Sequence, residues 1–282
     1  MYLKYFGLAE LPFGLTPDTA FAFGTRAHQE ALNTLLLATD GGEGFIQVSG
    51  EVGTGKTLLC RTFLATLPAP ALTCYLPHPN HTPRTLLWAL SQELGLGLPA
   101  SSNEFTLQRR IHDALLALAA EGRRVVVCVD EAQGLRTANL EALRLLSNLE
   151  TEKRKLMQLV LFGQPELDRR LAAADLRQLR QRIAFRHALA PMDDDEVARY
   201  VAHRLRVAGH RDGELFSRAA LAALQRASGG IPRVINILAH KALLAAFGAG
   251  ADGVERSHVR QAARDTLQRP APLFAPWRWL FG

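Results

Sequence analysis

The residues Gly50-Glu51-Val52-Gly53-Thr54-Gly55-Lys56-Thr57 constrain this chain more than any other stretch. They match G-x-x-x-x-G-K-[ST] in full, after a short apolar run over residues 44–50 and before helical spacing from about 55 to 67. Glycines let the backbone curl there, so successive N–H groups and a helix N-terminus face one point, which suits an anionic phosphate. Lys56 then supplies positive charge to the β- and γ-phosphates, and the Thr57 hydroxyl is placed to ligate Mg²⁺. The whole stretch Gly50, Glu51, Val52, Gly53, Thr54, Gly55, Lys56, Thr57 and the following Leu58 is expected to bind ATP. A chance glycine-rich turn is the alternative, and the strand before and helix after weigh against it.

Apolar periodicity around that loop alternates. Strands are expected over residues 71–76, 124–130, 156–162 and 183–189, and helices over 82–94, 104–121 and 137–149. Residues 124–130 (RVVVCVD) are nearly continuous in β-branched side chains, as in a strand buried on both faces. Strands separated by roughly 10 to 18 helical residues imply βαβ units, hence an α/β fold with a five-stranded parallel sheet between helices. Beyond Pro191 the strand signal stops. Asp193-Asp194-Asp195-Glu196 opens a helix to about residue 207, one Asp capping it and the acids suiting its dipole; this is preferred to a metal site. Further helices are expected over 214–227, 231–247 and 254–267, the second of them carrying one apolar stripe from Ile231 to Ala245. The chain thus divides into a lead-in (1–40), an α/β core (41–190), an all-helical lid (191–268) and a Pro/aromatic tail (269–282).

At 282 residues, 48% hydrophobic and 21% charged, the chain can bury a real core, and disorder, collagen and disulfide scaffolds are excluded. No apolar run approaches the ~18 to 20 residues of a membrane helix, and the N-terminus has no signal-peptide pattern. Cys60, Cys74 and Cys128 each sit in an apolar segment and read as core residues of a reducing cytoplasm. The net charge of +6 is uneven: Arg169, Arg170, Arg177, Arg180, Arg182 and Arg186 face a single Asp175 between them. Such a cluster suits a solvated face, nucleic acid or phosphate chemistry.

Two further strand ends carry chemistry. Val125 to Val129 run into Asp130-Glu131, which places Asp130 near the phosphate loop to hold Mg²⁺ through water and Glu131 to polarise the attacking water. Residues 159–163 (LVLFG) end in Gln164. If this strand lies between the other two, the amide comes close to the γ-phosphate and the lytic water; otherwise it caps the next helix.

This order of elements resembles AAA+ ATPases. More narrowly, Tyr5-Phe6-Gly7-Leu8, Pro12-Phe13, Thr16-Pro17-Asp18, the phosphate loop, Asp130-Glu131-Ala132-Gln133 and Gly163-Gln164-Pro165-Glu166-Leu167 resemble the general secretion pathway protein A (ExeA) group. The span, about residues 1 to 268, is similar to that group's short form, typified by the MSHA pilus biogenesis protein MshM. The resemblance implies an ATP-dependent homo-oligomer, cytoplasmic or peripheral at the inner membrane. It would energise assembly of a type IV pilus or type II secretion apparatus, whose proteins would be its partners. By the same resemblance Arg182 or Arg180 stands where an arginine finger would act on a neighbour's nucleotide, Arg233 is the lid arginine, and the Pro12-Phe13 and Thr16-Pro17 segment packs near the adenine or serves core packing alone. The tail, with Trp277 and Trp279, is read as a docking element for a partner, a membrane or the lid itself. A DNA-associated ATPase resembling transposition regulators is the alternative, favoured by a pI of 9.6 and 28 Arg against 5 Lys. No helix-turn-helix or zinc motif supports it, so nucleic acid is not an expected partner.

Overall fold

The computed structural model describes residues 2–15, 19–77, 82–150, 155–211 and 213–267. The tail reading and Thr16-Pro17-Asp18 lie outside the described residues. The chain forms two compact units, Gly24–Ala190 and a second made of Met1–Phe23 with Pro191–Gly282.

The first unit is an α/β layer structure. Its five strands, β1 (Phe45–Ser49), β2 (Leu72–Leu76), β3 (Val125–Val129), β4 (Gln158–Gly163) and β5 (Ile183–Ala188), form one sheet of order β2-β3-β4-β1-β5. Every pairing is parallel. Successive side chains of a strand face opposite sides of a sheet, so the β-branched run of β3 feeds two cores. Val125, Val127 and Val129 join Phe45, Leu159, Leu161 and Leu90, Ile111, Leu143 on one face. Val126 and Cys128 join Ile46, Val48, Val160, Phe162, Leu35 and Phe63 on the other. The first face is covered by α4 (Pro83–Glu93), α5 (Glu104–Ala120) and α6 (Thr137–Ser147); the second by α2 (Arg26–Asp40) and α3 (Lys56–Thr66). All three cysteines are free and buried. Two short helices, α7 (Pro165–Leu171) and α8 (Arg177–Arg182), link β4 to β5. Gln47, buried in the inner strand β1, donates to Asp168 and fastens α7 to the sheet.

The helical unit contains α1 (Tyr2–Tyr5), α9 (Asp194–Val207), α10 (Arg218–Ser228), α11 (Pro232–Gly248) and α12 (Arg256–Leu267). The acid run closes a capping box at the start of α9: Glu196 N donates to Asp193 Oδ1 at 2.8 Å, and the Glu196 carboxylate accepts from Asp193 N at 3.4 Å. Two of its four acids therefore terminate the helix.

Residues 1–40, read from the sequence as one lead-in, are divided between the units. Thr25 caps α2, whose Ala31, Leu35 and Ala38 pack on the sheet. Before it, Tyr2, Phe6, Leu8, Phe13 and Phe21 are large apolar anchors and bury in the helical unit. Arg204, only 7% exposed, holds this segment by donating to the carbonyls of Pro12 and Gly14 (2.5 and 3.4 Å) and to Tyr200 Oη (3.0 Å). Its guanidinium lies 4.7 Å from the centre of the Phe21 ring. Phe13 meets Phe216 edge-on at 6.0 Å, within the core of this unit.

Candidate functional site

The phosphate loop joins β1 to α3, at the carboxyl edge of the sheet where open α/β folds bind ligands. Gly55 caps α3 in the left-handed region, φ 94°, and a Cβ there would stand 2.7 Å from His28 Nε2. Both facts disfavour a side chain at this position. His28 is itself oriented by α2's cap, its Nδ1 lying 2.6 Å from Thr25 Oγ1. Lys56 is 5% exposed and donates to the carbonyls of Gly50 (2.8 Å) and Glu51 (2.9 Å). Burial pushes its ammonium below the ordinary lysine range, opposed by the charges of Glu131, Asp130, Glu51 and Glu166. Thr54 hydrogen-bonds back to the Glu51 carbonyl at 2.9 Å, tightening the loop. Val52 is exposed, while Gly53 and Leu58 are half-buried.

Beside the loop stands Asp130, 2% exposed. Its Oδ2 accepts from Thr57 Oγ1 at 2.7 Å and from Tyr75 Oη at 3.2 Å, and its Oδ1 accepts from Glu131 N at 2.9 Å. Burial, then the charge of Asp130, pushes the Tyr75 phenol up to about 12. A buried carboxylate joined to a hydroxyl at the foot of a phosphate loop is a hard-oxygen donor pair, and it fits Mg²⁺.

Glu131 has φ 51° and ψ 36°, the one positive φ outside glycine among the described residues. Side chains avoid that region at a cost of about 1–3 kcal/mol, a strain that recurs where geometry serves chemistry. Its Oε2 accepts from Gln164 Nε2 at 3.0 Å and from Gln133 Nε2 at 2.5 Å. Gln164 reaches it because β4 lies between β1 and β3, with Ser49 opposite Gly163. Lys56, Thr57, Asp130, Glu131 and Gln164 are thus one cluster. Arg180 and Arg182 are exposed on α8, and Arg233 is exposed in the first turn of α11, in the helical unit. Sequence reasoning missed Tyr75 and Thr25-His28, and gave Gln133 no task.

The sheet order is that of an AAA+ fold: the polar-ended strand β4 separates the phosphate-loop strand β1 from the glutamate-ended strand β3, with a helical unit besides. Residues 39–171 match the family model described as an AAA domain. General secretion pathway protein A of Aeromonas hydrophila is 44% identical over 263 residues. That alignment covers 93% of this chain and 48% of the relative, so the chain spans about half of that protein's length. Among solved structures, ORC2 of Aeropyrum pernix superposes with a TM-score of 0.62 at 17% identity, over 89% of this chain and 72% of that one. Cdc6p of Pyrobaculum aerophilum gives 0.66 at 16% identity, over 89% and 71%. The RuvB motor of Thermotoga maritima gives 0.54 at 16%, over 86% and 69%. At such identities the structural likeness speaks for the fold alone. Among the described residues no helix is long and apolar enough to cross a membrane.

Proposed function

We propose that the chain hydrolyses ATP to ADP and phosphate as a homo-oligomer, and that this cycle drives assembly or regulation of an envelope machine, a type II secretion or type IV/MSHA-type pilus apparatus. The hydrogen-bonded cluster of Thr57, Asp130, Glu131 and Gln164 carries the enzymatic half, and the 44% identity to a secretion pathway protein supports the biological half.

In this reading Lys56 leaves the loop carbonyls for the β- and γ-phosphate oxygens, which offer its buried charge a stronger partner. Thr57 and Asp130 are the residues that would hold Mg²⁺, which neutralises phosphate charge. Glu131 accepts the proton of the attacking water, and the Gln164 amide orients that water against the γ-phosphorus. Arg182, or Arg180 beside it, is offered from α8 to the nucleotide of an adjacent copy, so turnover depends on assembly. Arg233 is assigned to the nucleotide of its own chain. The domain scheme of core, lid and tail, and a site on or near the inner membrane, belong to this proposal.

A cell whose own copy carries Glu131→Gln should make the protein at normal level yet lose secretion or surface pili. Unaltered export and piliation with a turnover-dead chain would contradict the envelope reading.

A further inference from the structure

Glu131 is gripped by a residue that the proposed chemistry leaves idle. Gln133 follows it by two positions in a short 3₁₀ turn, Ala132–Gly134, and both ends of its amide are used. Nε2 donates to Glu131 Oε2 at 2.5 Å, while Oε1 accepts from the backbone N–H of Gln164 at 3.0 Å. Its own carbonyl accepts from Arg170 of α7 at 2.8 Å. The left-handed Glu131 starts the turn that carries Gln133, Arg170 holds that turn by its carbonyl, and the end of β4 brings the Gln164 N–H within reach of the amide oxygen. Without Gln133, Gln164 alone would hold Oε2, and one hydrogen bond leaves a carboxylate free to swing about it.

We infer that Gln133 is a positioning residue for hydrolysis: it clamps Oε2 of Glu131 so that the other carboxylate oxygen, Oε1, faces the water, and Arg170 seats the clamp from α7. The inference rests on the reading of Glu131 as the base. A neutral imidazole also presents one donor and one acceptor nitrogen, so histidine should restore what leucine cannot.

The test is steady-state ATP hydrolysis by the full chain carrying Gln133→Leu, Gln133→His or Arg170→Ala, with melting temperature and nucleotide affinity measured on each. Gln133→Leu should lower kcat by about 10- to 100-fold, part of what a positioned base supplies, with KM for ATP and melting temperature held. Gln133→His should recover much of kcat. Arg170→Ala should lose several-fold, and adding it to Gln133→Leu should cost little more, because both act through one contact. Wild-type kcat in Gln133→Leu would overturn the inference. So would a loss confined to KM, or a lowered melting temperature that histidine does not repair. Wild-type turnover by Glu131→Gln would instead remove the base assignment, and this inference with it.

Discussion

Two adjacent glycines after α10 share a backbone conformation and differ in space. Gly229 has φ 59° and Gly230 φ 74°. A Cβ on Gly229 would meet nothing within 4 Å; on Gly230 it would stand 2.1 Å from the Met192 carbonyl oxygen and 2.9 Å from the Met192 nitrogen. Gly229→Ala should therefore cost only the left-handed penalty, about 1 kcal/mol. Gly230→Ala carries that penalty and also forces two backbone segments apart. The parting breaks the 3.0 Å bond from Met192 N–H to the Gly230 carbonyl, and Met192 is buried. A stranded buried donor costs about 1–3 kcal/mol, so the second variant should lose about 2–4 kcal/mol in all. Urea unfolding followed by far-UV circular dichroism compares the two. At slopes of about 1–3 kcal/mol per molar urea, the Gly230→Ala midpoint should fall well below that of Gly229→Ala. Because Gly230 leads directly into Ile231-Pro232-Arg233, its variant should also weaken nucleotide-dependent activity if Arg233 has the proposed role. Equal midpoints for the two alanine variants would refute the packing argument.

Other outcomes follow from single contacts. Tyr75→Phe removes one of the two hydroxyls on Asp130 Oδ2, so turnover should fall about fivefold while ATP still binds, and a titration at 295 nm should lose a phenol ionising near 12. Burial holds His240 below its usual 6.5, with Tyr2 Oη 3.0 Å from its Nδ1. The unfolded chain then binds the proton more readily, so stability should be full above pH 6.5 and fall as the pH drops through the folded value; a flat melting temperature from pH 7.5 to 5.5 contradicts this. Inactive Arg182→Ala protein mixed with inactive Glu131→Gln protein should regain partial ATPase activity, since a mixed interface pairs an intact base with an intact arginine. No recovery at any ratio, with a chain that stays monomeric in ATP, would remove the trans-acting arginine.

The parts of the site visible in the sequence are those set by local geometry. A phosphate loop needs its glycines, lysine and threonine consecutively, and the apolar run of β3 names its own terminal carboxylates. Gln164 was legible because a strand ending in an amide has few uses beside those motifs, although only the pairing of β4 with both β1 and β3 brings its side chain to Glu131. Tyr75 was not legible, since its place follows from the register of β2 on β3, Tyr75 opposite Cys128 and thus two residues short of Asp130. The helices α7 and α8 are too short to show a period. The division of the first 40 residues was hidden for another reason. What holds Pro12 and Gly14 is Arg204, about 190 positions away, and no local pattern reports so distant a partner.

The central claim, that one cluster separates holding ATP from cleaving it, is tested most directly by measuring both on the same two variants. Affinity for a fluorescent ATP analogue and phosphate release would be followed for Lys56→Ala and Glu131→Gln. In the proposed reading the buried Lys56 ammonium meets ground-state phosphate, so Lys56→Ala should lose binding and turnover together. Glu131 in that reading acts on the water, so Glu131→Gln should keep near wild-type affinity and release phosphate at least about 100-fold more slowly. Phosphate release at the wild-type rate by Glu131→Gln, or undiminished affinity in Lys56→Ala, would contradict the account.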